Sequence, residues 1–328
     1  MNGSGRLLRY GVSFVACAGL LWLINWPECL RTLKLANEYW IALALVLILC
    51  DRVFMVYKWT LLLKGSGLPV SFRMALRSYF VGAFAEAFLP TSIGGDIVRV
   101  TWLSKQIANS GQIISSVIVE RLLGAIALAM VAMASTVLLA RHLAGASSEL
   151  ITVLGAILAI SLTGIAVMFS HAGHNLIKPL IAAIPFRRLS AVAETARAGV
   201  LEFRTKPKLL VAFLFLSVCE QAFPIVANVI IARALSVRLS FEWAMIGMPI
   251  ILAASRMPIS IAGFGVSEGL YALVFSYAGI PVTQSIMMAV AGRLLVLLSS
   301  LPGVWWTATT SQEQLARLVI DKESGLRG

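Results

Sequence analysis

The sequence predicts an all-α, polytopic membrane protein whose two related halves cross the bilayer in opposite directions. Three observations predict it: apolar runs long enough to span a membrane, an internal repeat, and helix breakers at matching places in both halves. Of 328 residues, 59% are hydrophobic and 13% charged, with a mean hydropathy of +0.89. A soluble domain carries about a quarter charged residues, so lipid is the solvent this composition fits.

Leu7–Trp26, Trp40–Leu63, Gln112–Leu139, Leu150–Ser170, Leu209–Ile231 and Val282–Thr307 are the apolar runs. Each is long enough for a hydrocarbon core of roughly 30 Å. Leu7–Trp26 follows Arg6 with no small-residue cleavage site ahead of a soluble domain, so it reads as a first span, not a signal peptide. The net charge of +12 lies mostly in short loops between the runs, which fits a cytoplasmic membrane face over anionic lipid and not a nucleic-acid surface. Cys17, Cys29, Cys50 and Cys219 form no C-x-x-C pair, and His142, His171 and His174 have no acidic partner at metal-ligand spacing. No cofactor or metal is expected.

The repeat has an offset near 169. Cys50-Asp51-Arg52-Val53-Phe54 matches Cys219-Glu220-Gln221-Ala222-Phe223, and Ser71-Phe72 with Ala75 matches Ser240-Phe241 with Ala244. Pro90-Thr91-Ser92-Ile93-Gly94-Gly95 then matches Pro258-Ile259-Ser260-Ile261-Ala262-Gly263, Gly111 matches Gly279, and after a short insertion Arg121-Leu122-Leu123 matches Arg293-Leu294-Leu295. The first repeat covers 1–142, the second 143–310, and 311–328 is a cytoplasmic tail.

Tyr79–Leu103 holds Pro90, Gly94, Gly95, Asp96 and Arg99 at its centre; Trp243–Ala278 holds Arg256, Pro258, Gly263, Gly265 and Glu268. Breakers at membrane depth survive where the backbone is buried in protein or lines a wet cavity. Each stretch is therefore expected to be a re-entrant hairpin, the alternative being one or two tilted full spans. Basic loops favour hairpins. With Arg6 and Arg9 inside, a hairpin keeps Lys64, Arg73, Arg77, Lys105 and the basic loop 171–208 inside, together with the tail. About six full spans, two hairpins and cytoplasmic termini follow, with the second hairpin entering from the opposite face. Interrupted segments at matching places in inverted repeats point to a substrate site near the midplane.

Asp51, Arg52, Glu86, Asp96, Arg99, Glu120, Arg121, Glu220, Arg256, Glu268 and Arg293 lie in or near apolar segments. Each costs about 2.5–3.5 kcal/mol at a span centre, so such groups face inward, pair or meet water. Asp51 and Arg52, near a span end, are as readily a helix-joining ion pair as a functional one. Arg99, Arg121, Arg256 and Arg293 beside Pro/Gly breaks fit an anionic head group such as a lipid phosphate, because a guanidinium keeps its charge and matches phosphate geometry. Glu120, Glu220 and Glu268 either bind a cationic head group, couple protons, or neutralise the arginines. Pro90, Ser92, Gly94, Gly95, Pro258, Ser260 and Gly263 complete the candidate substrate site with backbone and hydroxyl donors. Trp22, Trp26, Trp40, Trp59, Trp305 and Trp306 read as interfacial anchors, and 176–203 as helices lying on the inner leaflet.

Phe88–Val100 (FLPTSIGGDIVRV), Ser116–Gly124 (SVIVERLLG), Pro258–Gly269 (PISIAGFGVSEG), Gly292–Leu298 (GRLLVLL) and Lys58–Leu63 (KWTLLL) resemble the motifs of a flippase-like family. That family includes the transmembrane region of lysylphosphatidylglycerol synthases, and the resemblance covers nearly the whole chain. Two departures stand out: Ser267 replaces the arginine that usually precedes Glu268, and no soluble aminoacyl-transfer domain follows Thr310. The resemblance therefore implies movement of a polar-headed lipid between leaflets of a bacterial-type inner membrane, and not lysyl transfer.

Membrane lipids or lipid-linked intermediates are the expected partners, with no nucleic acid. No G-x-x-x-x-G-K-[ST] loop is present, so this chain consumes no ATP. Two other readings stay open. One is an intramembrane lipid-modifying transferase using Asp96 and Glu268. The other is a non-transporting subunit working with lipid-biosynthesis enzymes.

Overall fold

The computed structural model describes residues 36–88, 94–107, 109–142, 197–255 and 265–307, with 27, 31, 34 and 194 as single residues. Among these, all regular structure is helical. The expected spans Leu7–Trp26 and Leu150–Ser170, and the tail, lie outside the described residues.

The helices are α1 (Glu38–Gly65), α2 (Phe72–Phe88), α3 (Gly94–Ser104), α4 (Ser110–His142), α5 (Pro207–Glu220), α6 (Ala222–Ala234), α7 (Phe241–Ser255), α8 (Val266–Ser276) and α9 (Val282–Ser299). Four stretches are long and apolar enough to cross a membrane: Glu38–Gly65, Ser110–Ser135, Pro207–Ala234 and Val282–Thr307. They match the four expected spans that fall within the described residues.

α1 begins at Asn37, whose Oδ1 accepts from the Tyr39 and Trp40 backbone N–H groups at 3.0 and 3.4 Å. It ends in a left-handed turn at Gly67 (φ 77°), where the Leu68 N–H donates to the Leu63 carbonyl. The α5–α6 span ends the same way: Ser236 has φ 57° and the Val237 N–H donates to the Ala232 carbonyl. Both are Schellman-type stops, which satisfy the last carbonyls where the helix must leave apolar surroundings. α5 and α6 join through Gln221, which is itself helical. Pro224 has no N–H for the Glu220 carbonyl, so the ladder is interrupted beside a charged side chain.

These two spans run antiparallel. At one end Lys206 Nζ donates to the Gly65 carbonyl at 2.6 Å; at the other the Asn37 N–H donates to the Ala234 carbonyl at 2.9 Å. Between the ends, Phe54 meets Phe223 with ring centroids 5.5 Å apart. Those two phenylalanines are matched positions of the sequence repeat at an offset of 169.

α2 and α3 form a tight pair. A Cβ on Gly82 would lie 2.6 Å from the Gly95 carbonyl, and one on Gly95 would lie 2.8 Å from the Gly82 carbonyl, so both must be glycine. Ser78 Oγ donates to the Arg99 carbonyl at 2.7 Å. Leu68 and Val70, before α2, pack in one cluster with Leu103 and Ile107, at the end of α3. The pair thus starts and finishes at the same end of the bundle. α7 and α8 repeat this, since Val237 and Leu239 share a cluster with Phe275 and Ile280. Both pairs start before the expected 79–103 and 243–278: α2 begins at Phe72 and α7 at Phe241.

The two pairs pack on the opposite half's long helix. Gly303, following α9, lies so close to α2 that a Cβ would meet the Phe80 carbonyl at 2.2 Å, and Trp306 stacks on Phe80. Ala132 of α4 packs on Ile246 and Ile250 of α7. Pro249 inside α7 cannot donate to the Met245 carbonyl, and Ser135 Oγ of α4 lies 2.9 Å from that carbonyl as its replacement donor, sharing its proton with Val131 at 2.8 Å. Ser135→Ala should therefore lower stability by about 1 kcal/mol, read as an earlier midpoint in reversible unfolding in mixed micelles.

Two expectations need correction. The element pattern puts Ser110 at the start of α4 where Val282 starts α9, so the offset is 172 there, and Gly111 is not the counterpart of Gly279. Gly279 is a left-handed turn residue (φ 73°) in the α8–α9 link. The offset is already 172 between the starts of α3 and α8, against 169 for α2 and α7, so Gly95 stands opposite Ser267 by element order and not opposite Gly263. Trp59 is also no interfacial anchor. It is fully buried, and its Nε1 donates to Ser116 Oγ at 3.0 Å.

Candidate functional site

The helices enclose a cavity of about 530 Å³ between the halves. Most of its lining falls into pairs related by the repeat. At an offset of 169, Asp51, Arg52, Lys58, Tyr79 and Glu86 are matched by Glu220, Gln221, Ala227, Met248 and Ser255. At 172, Gly95, Arg99, Glu120 and Arg121 are matched by Ser267, Tyr271, Gly292 and Arg293.

One element of the site is common to both halves. Asp96 Oδ2 accepts from Arg121 Nε and Nη2, both at 2.8 Å. Its counterpart Glu268 pairs with Arg293 Nη2 at 3.0 Å. Glu268 also accepts from the Gly265 N–H at 2.8 Å and from Ser267 Oγ at 3.1 Å, and Ser267 Oγ in turn accepts from Arg293 at 2.6 Å. In each half a carboxylate in the first turn of the second short helix holds an arginine from the following span.

The rest is lopsided. In the first half Arg99, almost wholly buried, donates to Glu120 Oε2 and pairs with Asp96 Oδ1, both at 2.8 Å, and lies 4.6 Å over the Trp59 ring. At the equivalent place in the second half Tyr271 donates a neutral hydrogen bond to Asn228 Oδ1 at 2.8 Å. Lys58, also buried, forms an ion pair with Glu220, donates to Ser217 Oγ at 2.9 Å and faces the Phe213 ring. Arg52 Nη1 lies 3.2 Å from the Tyr79 hydroxyl, while Asp51 Oδ1 and Arg52 Nε are buried without a hydrogen-bond partner.

The lining carries five cations (Arg52, Lys58, Arg99, Arg121, Arg293) and five carboxylates (Asp51, Glu86, Asp96, Glu120, Glu220). Arg99, Arg121 and Arg293, read from the sequence as fitting an anionic head group, each hold a carboxylate, which accords with the reading of Glu120 and Glu268 as neutralising partners.

Comparison with known proteins decides the family. A model of the lysylphosphatidylglycerol synthase transmembrane region matches residues 7–303. The chain belongs to that family. A UPF0104 membrane protein of Pyrococcus horikoshii is 30% identical over 126 residues, which is 37% of this chain and 36% of the relative. The match thus spans about a third of that relative's length. No solved structure gives a significant match.

Within this transmembrane-region family member, the candidate residues Gly95, Asp96, Arg99, Glu120, Arg121, Glu220 and Arg293 share the cavity. Gly94 is buried at the start of α3, and Glu268 sits just behind Ser267. Pro90, Ser92, Arg256, Pro258, Ser260 and Gly263 lie outside the described residues. Lys58, Tyr79 and Ser267 are lining residues that pattern reading passed over. Lys58 stands in a motif at a span end, and nothing in one sequence tells that its partner lies 162 residues away. Ser267 was noted only as a departure from the family pattern, although its hydroxyl fills the gap between Arg293 and Glu268.

Proposed function

We propose that this chain moves a lipid between membrane leaflets, holding its polar head group in the cavity while the tails stay in the bilayer. The observation that carries this reading is the cavity itself, lined by ion-paired side chains from helices of both parts of the chain. In this reading the halves are inverted repeats and α2–α3 and α7–α8 are re-entrant hairpins from opposite faces, and exchange between their two arrangements exposes the head group to one leaflet and then the other. The antiparallel α1 and α5–α6 spans, and hairpins that start and finish at one end of the bundle, support it.

Lys64, Arg73, Arg77, Lys105, Arg204, Lys206 and Lys208 cluster in segments at the α1 carboxyl end, which therefore faces the cytoplasm of an inner membrane, as do the termini. The charge-balanced lining favours a head group that is neutral overall, with a phosphate and a cation on one molecule, over a polyanion. Lys58, Arg99, Arg121 and Arg293 each already hold a carboxylate, so a ligand of strong net charge would be left uncompensated at low dielectric. No bond of the lipid is made or broken in this cycle.

Leaflet exchange tests it. Purified full-length protein in vesicles of phosphatidylethanolamine and phosphatidylglycerol should let an external reductant bleach nearly all of a tail-labelled phosphatidylethanolamine, against about half in protein-free vesicles. Arg121→Ala and Arg293→Ala should each slow exchange. Bleaching that stops at the protein-free plateau, for this lipid and for tail-labelled anionic and polyprenyl-phosphate lipids, would contradict the proposal.

A further inference from the structure

The halves treat their matching carboxylates differently. Glu220 and Asp51 occupy the same repeat position and both line the cavity. Glu220 is held by Lys58. The residue that would hold Asp51 in the same way is the counterpart of Lys58, which is Ala227, also in the lining. Asp51 Oδ1 accordingly has no hydrogen-bond partner among the described residues.

Its neighbour does not substitute. Arg52 is adjacent on the helix, where consecutive side chains diverge, and its guanidinium is turned to the Tyr79 hydroxyl. Glu86 has a different support: a Cβ on Gly95 would lie 3.1 Å from its Oε2, which places that carboxylate beside the positive amino end of α3. The titratable and charged groups turned to the same cavity are Arg52 and Lys58 of α1 itself, Tyr79 and Glu86 of α2, Asp96 and Arg99 of α3, Glu120 and Arg121 of α4, Glu220 of α5, Tyr271 of α8 and Arg293 of α9. Of these, Glu120 is held by Arg99 and Glu220 by Lys58, while Arg121 holds Asp96 and Arg293 holds Glu268. Asp51 has Arg52 and Lys58 as charged neighbours on its own helix but no ion pair with either, and its Oδ1 has no hydrogen-bond partner among the described residues.

We propose that Asp51 is a proton-coupling site that makes lipid movement through this cavity depend on a pH gradient. A lone buried carboxylate is costly as an anion and tolerable as a neutral acid. In the resting cavity Asp51 carries a proton. A head group bearing a cation offers the missing partner, and Asp51 releases the proton to the water of the cavity as it binds. When the head group leaves toward the other leaflet, Asp51 takes up a proton again from that side. One O–H bond breaks and one forms, and nothing is oxidised or reduced. A single unpartnered carboxylate gives one exchangeable proton per cycle.

This inference rests on the lipid-translocation reading, and one experiment separates their failures. Full-length protein in phosphatidylethanolamine/phosphatidylglycerol vesicles, with a pH dye inside, is given a pH step while leaflet exchange of tail-labelled phosphatidylethanolamine is followed. The wild type should show an exchange rate that changes several-fold with the sign of the gradient, and a lumenal pH change that needs the lipid. Asp51→Asn should lose both dependences. If Asp51→Asn is inactive or misfolded, infrared difference spectra of the wild type on adding soluble phosphoethanolamine give the same answer. A protonated-carboxyl band should disappear on binding, and this loss should persist in Glu220→Gln. Exchange without gradient dependence, or no carboxyl band lost, overturns the Asp51 assignment and leaves translocation standing; absence of exchange with every lipid overturns the reading beneath it.

Discussion

Arg99→Met should destabilise the folded protein by about 3–5 kcal/mol, more than any other single substitution at the site. The guanidinium is buried, holds Asp96 on its own helix and Glu120 on α4, and covers the Trp59 ring. Removing it leaves Glu120 without a cation, whereas Asp96 keeps Arg121. Most of the loss is therefore the cost of an uncompensated carboxylate and not of the bonds themselves. Arg99→Met with Glu120→Gln should recover a large part of it. Arg99→Lys should recover less, because an ammonium on a flexible stem cannot present the fork that spans two carboxylates. Equilibrium unfolding in mixed micelles reads all three. Equal losses for the single and double variants would mean that Arg99 acts through packing on Trp59 and not through charge.

Lys58→Met is the second large effect, again about 3–5 kcal/mol. Lys58 crosses from α1 to α5, where it meets Glu220 and Ser217. The methionine fills the same volume against Phe213 but leaves Glu220 charged and unpartnered. Combining it with Glu220→Gln should return most of the stability, giving a coupling energy that a surface pair would not show. The double variant should also make the halves more alike, since neither matching acidic position would then carry a held charge.

Much of this architecture is legible in the chain. Trp40–Leu63 and Leu209–Ile231, chosen on hydropathy, fall within two to three residues of the helix ends, because leaving lipid without a satisfied carbonyl is costly and the stop signals sit at the edge of the apolar run. The charged positions were visible because charge in an apolar run is rare. Their pairing was not. Asp96–Arg121 and Glu268–Arg293 keep the same spacing in both halves, but the Pro90–Pro258 and Gly111–Gly279 matches at 168 put Asp96 and Glu268 out of register, and Lys58–Glu220 joins different halves. Neutralisation of the arginines was one of three readings the sequence left open for the glutamates, and only the positions in space show which arginine meets which carboxylate. Trp59 misled for a similar reason: tryptophan near a span end is usually interfacial, and only the position of Arg99 on α3 shows that this one closes the floor of a charged cluster.

The central claim is that the polar head group of a lipid occupies the cavity between the halves. Electron cryomicroscopy of the full-length protein in nanodiscs of phosphatidylethanolamine and phosphatidylglycerol tests it directly. The account predicts head-group density within reach of Asp51, Arg52, Arg121 and Arg293, continuous with acyl density leaving between helices. Lipid density confined to the outer belt, with the cavity holding only water, would contradict it.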